Sequence, residues 1–318
     1  MSNGQDPLVS VVTATYNRPV LLREAVKSAL AQTYRNIEVI VCDDSASDAN
    51  REAVEGLSDS RVRYVPNATR LGGAHNKVKS QQLASGRYLA NLDDDDLWEP
   101  NLLEVLVGHL EGDLELVVAF ADFSLMDSAG RIDVARSSAF NARARGGLSH
   151  GKLQPFIYEA LVDRAVPAAQ AAVFRRSRLA VDEYPSDREV NDLFTSYLAC
   201  RSGGAAYYHP EPLARYREHP GSSTATAGFD WHEMFTNGFE IMLRDERVRV
   251  AWPEIRRQLG MKRSSMAVDA LVVGRRRVAC VNAARGVAIR PSARALGVLM
   301  LAIGGPRSVA ARFRSSPS

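Results

Sequence analysis

The sequence predicts an α/β fold in which a Rossmann-like, mostly parallel central sheet is flanked by helices and followed by a helical C-terminal extension. Short runs of β-branched apolar residues alternate with segments of helical periodicity over residues 8–110, as they do in successive βαβ units. Residues 231–318 differ, because their apolar residues recur mainly at helical spacing. These two patterns define the predicted fold class.

The elements of the first part follow in order from composition and periodicity. Strands are short and β-branched, whereas helices place apolar residues three and four positions apart. The predicted strands are residues 8–14, 37–42, 62–65 and 87–92. The predicted helices are residues 20–31, the polar stretch after residue 45, a segment from residue 72 towards residue 85, and a segment from Pro100 to residue 110, where proline suits the first turn.

The middle of the chain has a less regular pattern. We expect a strand at residues 116–123, a hairpin turn at 128–130, a strand at 168–175, a helix at 191–199 and an extended segment at 207–219. Residues 135–151 are rich in Arg, Gly, Ala and Ser, which predicts a mobile loop. The chain is therefore divided into residues 1–125, 126–230 and 231–318.

Charge is unevenly distributed along the 318 residues. Residues 1–230 contain 24 Lys and Arg against 31 Asp and Glu, whereas residues 231–318 contain 16 against 6, a net charge of +10. A basic segment of this kind is expected to contact an anionic partner, either a membrane surface or the acidic body itself. Nucleic acid is disfavoured, because the segment has no recognisable nucleic-acid-binding motif.

Cysteine content and the N-terminal residues predict a cytoplasmic location. The three cysteines, Cys42, Cys200 and Cys280, are widely spaced, which favours neither a disulfide framework nor a thiolate zinc site. Residues 1–7 have neither the basic nor the apolar region of a signal peptide. The apolar run at residues 295–303 is too short to span a bilayer, so membrane contact would be peripheral, at the inner face.

Polar clusters follow three of the predicted strands, at residues 15–17, 43–44 and 93–96. Right-handed crossovers place the carboxyl ends of parallel strands at one edge of the sheet, and open α/β sheets bind ligands at that edge. We therefore expect the three clusters to converge. Tyr16 is a candidate to stack on a base or to join the core, and Asp43 and Asp44 are candidates for a base or ribose contact or for turn chemistry.

The four consecutive aspartates Asp93, Asp94, Asp95 and Asp96 point to a hard divalent cation. Adjacent carboxylates repel one another, and Mg²⁺ or Mn²⁺ supplies the counter-charge while sharing its ligand shell with phosphate oxygens. In an extended segment, Asp93 and Asp95 would lie on one face and Asp94 and Asp96 on the other. The alternative is a solvated acidic loop.

Five segments at ordered spacing carry a family resemblance over about the first 125 residues. VSVVTATYNR (9–18), AQTY (31–34), EVIVCDDS (38–45), GGAHN (72–76) and GRYLANLDDDDLWEP (86–100) resemble the family 2 glycosyltransferases of the GT-A fold. The resemblance implies metal-dependent transfer of a sugar, with inversion, from a nucleoside-diphosphate sugar to an acceptor hydroxyl. It implies UDP as the favoured donor nucleotide, with dTDP or GDP as alternatives, and Mn²⁺ or Mg²⁺ as cofactor.

The resemblance also implies roles for the two parts of the domain and for matching residues. Residues 1–125 would bind the donor, and residues 126–230 would bind a saccharide, lipid-linked or small-molecule acceptor. Asp95 would bind the metal, and Tyr16 would stack on the base. The implied nucleotide-binding residues are Thr15, Tyr16, Asn17, Asp43, Asp44, Asn76 and Asp94. His75 and Asp93 are candidate sugar contacts, although His75 stands where the family often has arginine.

The second half contributes the remaining candidate residues. The family places its general base near the start of a helix after the irregular middle segment, which favours Asp192, with Asp187 and Glu189 as alternatives. An acid at a helix start is also favoured by the helix dipole alone. His219 is a candidate metal ligand, and Arg217 is a candidate phosphate contact.

Two other functions remain open on the sequence. A catalytically inactive nucleotide-binding or scaffold protein would keep the aspartates but lack a working base. A prenyl-type transferase also uses an aspartate-rich motif, but on the helices of an all-α protein, whereas this chain opens β–α–β. The oligomeric state is not indicated by the sequence.

Overall fold

The computed structural model describes residues 6–185, 192–222 and 229–304. It divides into two compact units, Met1–His219 and Pro220–Ser318. The strands, all in the first unit, are β1 Val9–Thr15, β2 Ile37–Asp43, β3 Val62–Pro66, β4 Tyr88–Asn91, β5 Leu97–Trp98, β6 Leu116–Met126, β7 Gly151–Leu153, β8 Ala172–Arg175 and β9 Ala205–Arg217.

The helices of the first unit lie between these strands and confirm most of the predicted order. They are α1 Pro19–Leu30, α2 Ala49–Glu55, α3 Gly73–Gln82, α4 Leu102–Gly112, α5 Val134–Arg145, α6 Ile157–Leu161 and α7 Asp192–Cys200. The second unit contains α8 Phe229–Met242, α9 Trp252–Val272, α10 Arg276–Ile289 and α11 Ala293–Gly304, as its helical periodicity predicts.

A central sheet carries the first unit, with the strand order β3-β2-β1-β4-β8-β6-β9-β5 and β7 paired to β9. Strands β3, β2, β1 and β4 are parallel neighbours, and every residue of β1 except one is buried, as expected of a strand covered on both faces. The predicted central sheet flanked by helices is confirmed. Its second half is mixed, because β8 runs antiparallel to both β4 and β6.

The segment 135–151 is largely helical, so the prediction of a mobile loop there was wrong. Asp133 caps α5 by accepting a hydrogen bond from the Arg136 amide, and the buried face of the helix is polar. Asn141 donates to the Phe123 carbonyl oxygen at 2.8 Å, and Arg145 pairs with Asp122 at 3.0 Å. A helix that packs through polar side chains has no apolar stripe for a periodicity argument to find.

The second unit has a small core of its own and an exposed apolar face. Alanine and aliphatic side chains of α9, α10 and α11, including Leu271, Ala283 and Val298, pack together. On α11, Leu296, Met300 and Ile303 are 48%, 74% and 69% exposed. Among the described residues, no helix combines the length and apolar character needed to cross a membrane.

Candidate active site

Three polar clusters meet at one edge of the sheet, as predicted. They follow the strands β1, β2 and β4. The Thr15 hydroxyl at the end of β1 donates to Asp94 Oδ2 at 2.7 Å. The Asp44 amide, just after β2, donates to the Thr15 carbonyl oxygen at 3.1 Å. The parallel pairing of β1 with β2 and β4 produces this convergence, since it aligns their carboxyl ends.

The aspartates form a turn and not an extended segment, so the expected alternation of faces was wrong. The Asp96 amide donates to the Asp93 carbonyl oxygen at 3.2 Å, which closes a four-residue turn. The turn brings carboxylate oxygens of Asp93, Asp95 and Asp96 within 4.8 Å of one another. Asp94 is directed instead to Thr15 and to Arg18, whose guanidinium lies 2.8 Å from Asp94 and 2.6 Å from Asp95.

Burial and repulsion from neighbouring acids disfavour charge on Asp93, Asp94 and Asp96. Desolvation, followed by repulsion from neighbouring acids, raises the pKa of Asp93 to about 6 against the lowering effect of Lys77. The pKa of Asp94 is raised by burial and by Asp95, and that of Asp96 lies well above its usual value for the same reasons. Within the described part of the chain, Asp96 Oδ2 is buried and has no hydrogen-bond partner. A divalent cation would relieve both features, so the cluster fits Mg²⁺ or Mn²⁺.

The carboxylates of Asp43 and Asp44 hold the loops of the site. Asp43 accepts hydrogen bonds from the Ser45 amide at 2.7 Å and from the Tyr64 hydroxyl at 2.5 Å. Asp44 accepts from the Asn67 side-chain amide at 2.6 Å and from the Gly72 amide at 2.8 Å. Asp44 Oδ1 also accepts from the Leu71 amide at 3.0 Å, so Asp44 fixes the entry to α3, and its Oδ2 keeps a lone pair for a ligand.

Tyr16 lies at the surface and not in the core, with 42% of it exposed. The Arg70 guanidinium carbon lies 4.1 Å from the centre of its ring, which is a cation–π contact. The neighbouring Asn17 adopts a positive φ of 53°, and its amide donates to the Ser45 hydroxyl at 2.8 Å. Sequence reasoning missed Arg70, since a lone arginine in a loop carries no pattern.

Asn76 is buried inside the sheet edge and acts as a tie between strands. Its side-chain nitrogen donates to the carbonyl oxygens of Thr15 at 3.3 Å and Cys42 at 2.9 Å, and its oxygen accepts from Asn67 at 2.8 Å. These bonds assign it a structural role next to the predicted nucleotide contacts. His75, the preceding residue of α3, is half-buried.

Lys77 connects the acidic cluster to Asp192. Its ammonium lies 2.9 Å from Asp93 and 3.0 Å from Asp192, at the start of the described part of α7. The two carboxylates outweigh the cost of burial and raise the pKa of Lys77. Sequence reasoning missed this lysine, which is 115 residues away from Asp192 in the chain. Asp187 and Glu189 lie outside the described residues.

His219 and Arg217, at the end of β9, also reach the aspartates. His219 Nε2 lies 3.0 Å from Asp95 Oδ2, so the structure brings this predicted metal ligand to the cluster. The Arg217 amide donates to Asp96 at 2.9 Å, and its guanidinium to the Asp95 carbonyl oxygen at 2.9 Å and to Glu24 at 2.7 Å. The buried Arg217 therefore supports the aspartate turn, and its expected role as a phosphate contact stays a prediction.

Comparisons with known proteins agree with this architecture. Residues 10–151 match the family model described as glycosyl transferase family 2. The curated protein UDP-Glc:alpha-D-GlcNAc-diphosphoundecaprenol beta-1,3-glucosyltransferase WfgD of Escherichia coli is 40% identical over 102 residues, which cover 32% of this chain. The matched segment spans 40% of the length of that relative.

Solved structures resemble the chain over almost its whole length. Staphylococcus aureus TarS 1–349 in complex with UDP-GlcNAc has a TM-score of 0.67 at 13% identity, covering 97% of this chain and 90% of the other. The mannosyltransferase PcManGT of Pyrobaculum calidifontis, in complex with GDP-Man and Mn²⁺, has a TM-score of 0.58 at 19% identity, covering 98% and 85%. At these identities the likeness shows a shared fold.

Proposed function

We propose that the chain transfers a sugar from a nucleoside-diphosphate sugar to an acceptor hydroxyl with inversion. The proposal starts from its membership of the family 2 glycosyltransferases of the GT-A fold. The observation that carries the proposal is the contact of Lys77 with both Asp93 and Asp192. Through Lys77, the acidic cluster, which suits a metal ion with its diphosphate, is connected to Asp192, a carboxylate that can act as a base. A donor site and a candidate catalytic group thus belong to one ion-pair network.

Asp95, with Asp93 and Asp96 beside it and His219 in contact, would hold Mn²⁺ or Mg²⁺. Bound there, the cation would neutralise the charge that develops on the leaving diphosphate. Arg18 contacts Asp94 and Asp95 and supplies positive charge to the same place. The manganese named with the archaeal mannosyltransferase supports a divalent cation of this class.

The nucleotide would bind along the ends of β1 and β2. The exposed ring of Tyr16 and the guanidinium of Arg70 offer flat surfaces for a base, and Asp44 offers acceptors for a base N–H or a ribose hydroxyl. UDP is the favoured nucleotide, in keeping with the UDP-GlcNAc named with TarS, and GDP and dTDP are the alternatives.

Asp192 would deprotonate the acceptor hydroxyl. The ionised carboxylate takes the proton as the acceptor oxygen attacks the anomeric carbon, and the bond from that carbon to the diphosphate oxygen breaks on the opposite face. Lys77 restrains Asp192 while it also holds Asp93, so both carboxylates keep fixed positions relative to one ammonium group. Lys77 is a positioning residue in this mechanism.

A lipid-linked saccharide is the favoured acceptor class, ahead of a free saccharide or small molecule. The E. coli relative is named for a diphosphoundecaprenol-linked substrate. The second unit supports contact with such a substrate at a membrane surface, because residues 231–318 carry a net charge of +10 and α11 exposes Leu296, Met300 and Ile303. We propose that the chain works in the cytoplasm, peripherally at the inner face of an anionic membrane.

Ligand-dependent unfolding tests the donor site. The unfolding temperature is measured with UDP, GDP or dTDP, with Mn²⁺ or with chelator. A nucleotide at 100 times its dissociation constant should stabilise the fold by about 2.7 kcal/mol, and only with the metal. Asp95→Ala should lose this shift, whereas Asp127→Asn, which changes a partly exposed acid in a hairpin turn, should keep it.

Sugar transfer, measured with UDP-sugars and a diphosphoundecaprenol-linked acceptor, then tests the reaction. Chelation should abolish transfer and Mn²⁺ should restore it. Nucleotide binding without transfer to any acceptor class would favour the inactive binding or scaffold protein. Full activity of Asp95→Ala in chelator would contradict the metal site.

A further inference from the structure

Three histidines from separate elements meet in the first unit, away from the aspartates. His109 lies near the end of α4, His150 immediately precedes β7, and His209 lies on β9. One ring nitrogen from each falls within 4.8 Å of the others. His209 pairs with Ala121 of β6, whereas Arg217, which contacts the aspartates, pairs with a residue five positions further along β6. At 3.3–3.4 Å per residue, His209 and Arg217 are therefore about 17 Å apart along the sheet.

The spacing of the rings is close to that required by one tetrahedral metal ion. His109 Nε2 and His209 Nδ1 are 3.3 Å apart. Two nitrogens bound to zinc at 2.0–2.1 Å with a tetrahedral angle are separated by about 3.3–3.4 Å. The ring centre of His209 lies 5.4 Å from that of His109 and 5.5 Å from that of His150, and the ring centres of His109 and His150 are 6.4 Å apart. Rings on one such ion would have centres about 5.1 Å apart, so His109 and His150 must approach each other by about 1.3 Å, whereas the two pairs with His209 need much less.

The surroundings of the rings resemble those of metal-binding histidines. His209 Nε2, on the far side of its ring from Nδ1, is buried without a hydrogen-bond partner among the described residues and lies 3.6 Å from the Glu211 carboxylate. Metal-binding histidines typically direct their second nitrogen to a carboxylate, which fixes the tautomer and the ring orientation. Tyr207 stacks on His109 at 3.8 Å between centres and lies 3.1 Å from His150 Nε2 through its hydroxyl, so it orients both rings.

We propose that His109, His150 and His209 bind one divalent transition-metal ion, zinc by preference, with the fourth position left to water. Imidazole ligands suit zinc, whereas magnesium and manganese favour the oxygen ligands of the aspartate cluster. The bound ion joins α4, the residue before β7, and β9, so it braces the half of the sheet that is assigned to the acceptor. The site is independent of the proposed transferase activity.

Zinc binding to the full chain, without an affinity tag, tests the site. After chelation and dialysis, the protein is titrated calorimetrically with Zn²⁺ in excess Mg²⁺, which occupies the aspartates. Cobalt(II), titrated in parallel, should give the intense visible absorption of a tetrahedral site. Wild type should bind one zinc per chain, and His209→Gln should weaken binding by about 100-fold or more, since loss of even an outer-shell partner costs 10–100-fold.

Two further variants separate loss of a ligand from loss of the fold. His150→Gln changes an exposed side chain, so it should keep the metal-free unfolding temperature and still lose zinc binding and the zinc-dependent rise in that temperature. His232→Gln, a histidine outside the cluster, should bind zinc as wild type does. Absence of zinc binding in wild type, or undiminished binding by both His150→Gln and His209→Gln, would overturn the proposal.

Discussion

At the scale of single residues, basic side chains occupy the positions around the aspartates that the sequence left unassigned. Arg18 contacts Asp94 and Asp95, and Lys77 contacts Asp93 and Asp192. These cations offset part of the repulsion among buried carboxylates. The aspartates could be recognised from the sequence because four stand together, whereas a lone arginine or lysine gives no local sign of a partner far along the chain.

Replacing Asp192 by asparagine should impair transfer while sparing donor binding. The amide cannot accept the acceptor's proton, and loss of a general base lowers the rate of the chemical step by roughly 10²–10⁴-fold. Steady-state kinetics should show the fall in kcat, and nucleotide-dependent unfolding shifts should stay near those of wild type.

The neighbouring acids provide the controls for this assignment. Asp182→Asn changes an exposed acid in a short helical turn and should leave kcat within the range of wild type. If Asp187→Asn or Glu189→Gln is inactive while Asp192→Asn turns over normally, the base is that neighbour. Normal turnover by all three would place the base elsewhere in the chain.

At the scale of elements, the sequence predicts what depends on apolar periodicity and misses what depends on polar packing. The strands β1, β2 and β4 and the helices α1 and α4 were predicted because each buries apolar residues at a regular period. Helix α5 escaped prediction because its buried positions, Ser137, Asn141 and Arg145, are polar. The antiparallel direction of β8 escaped as well, since the sequence of a four-residue strand does not encode its direction.

Gly86, just before β4, should be intolerant of a side chain. A Cβ atom there would lie 2.6 Å from the Leu8 carbonyl oxygen and 2.8 Å from the Ser10 amide nitrogen, both of them backbone atoms. We expect Gly86→Ala to destabilise the fold by about 1–3 kcal/mol, as overpacking does. Urea denaturation measures the change in the free energy of unfolding.

Gly108 is the matched glycine for this comparison. It lies exposed within α4, and a Cβ atom there would meet nothing within 4 Å. Alanine should therefore stabilise the helix by roughly 0.5–1 kcal/mol. A Gly86→Ala protein as stable as wild type would show that the backbone before β4 can move away from β1.

At the scale of the whole molecule, the sequence predicted the fold class and the helical character of the second unit. Alternating strands and helices need a central sheet to bury their apolar faces, and the described part of residues 231–304 contains only helices and short helical turns. The division at Pro220 could not be read from composition, because it depends on which segments pack together.

The exposed face of α11 should bind anionic membranes. Each Lys or Arg close to an anionic surface contributes about 1 kcal/mol, and the apolar side chains add to this by insertion. Co-sedimentation with phosphatidylserine vesicles should recover the wild-type chain at low salt and less of it at high salt. The double substitution Leu296→Asp and Met300→Asp should abolish recovery.

A change on another exposed side chain controls for altered charge. Val250 lies in a short helical turn before α9 and is 61% exposed. The Val250→Asp variant should therefore be recovered with the vesicles largely as the wild-type chain is. Equal recovery of the wild-type chain with neutral and anionic vesicles would reject the membrane contact.

The contact of Arg217 with the aspartate turn has a consequence for the order in which the protein matures. Its amide and guanidinium reach across 121 and 122 residues to Asp96 and to the Asp95 carbonyl oxygen. During synthesis, the first four strands can leave the ribosome and pair long before this arginine is made, and contacts so distant in sequence form late. A nascent chain therefore carries all four aspartates without the contacts of Arg217 that shape them, and the proposed metal site is completed only when translation has passed the end of β9.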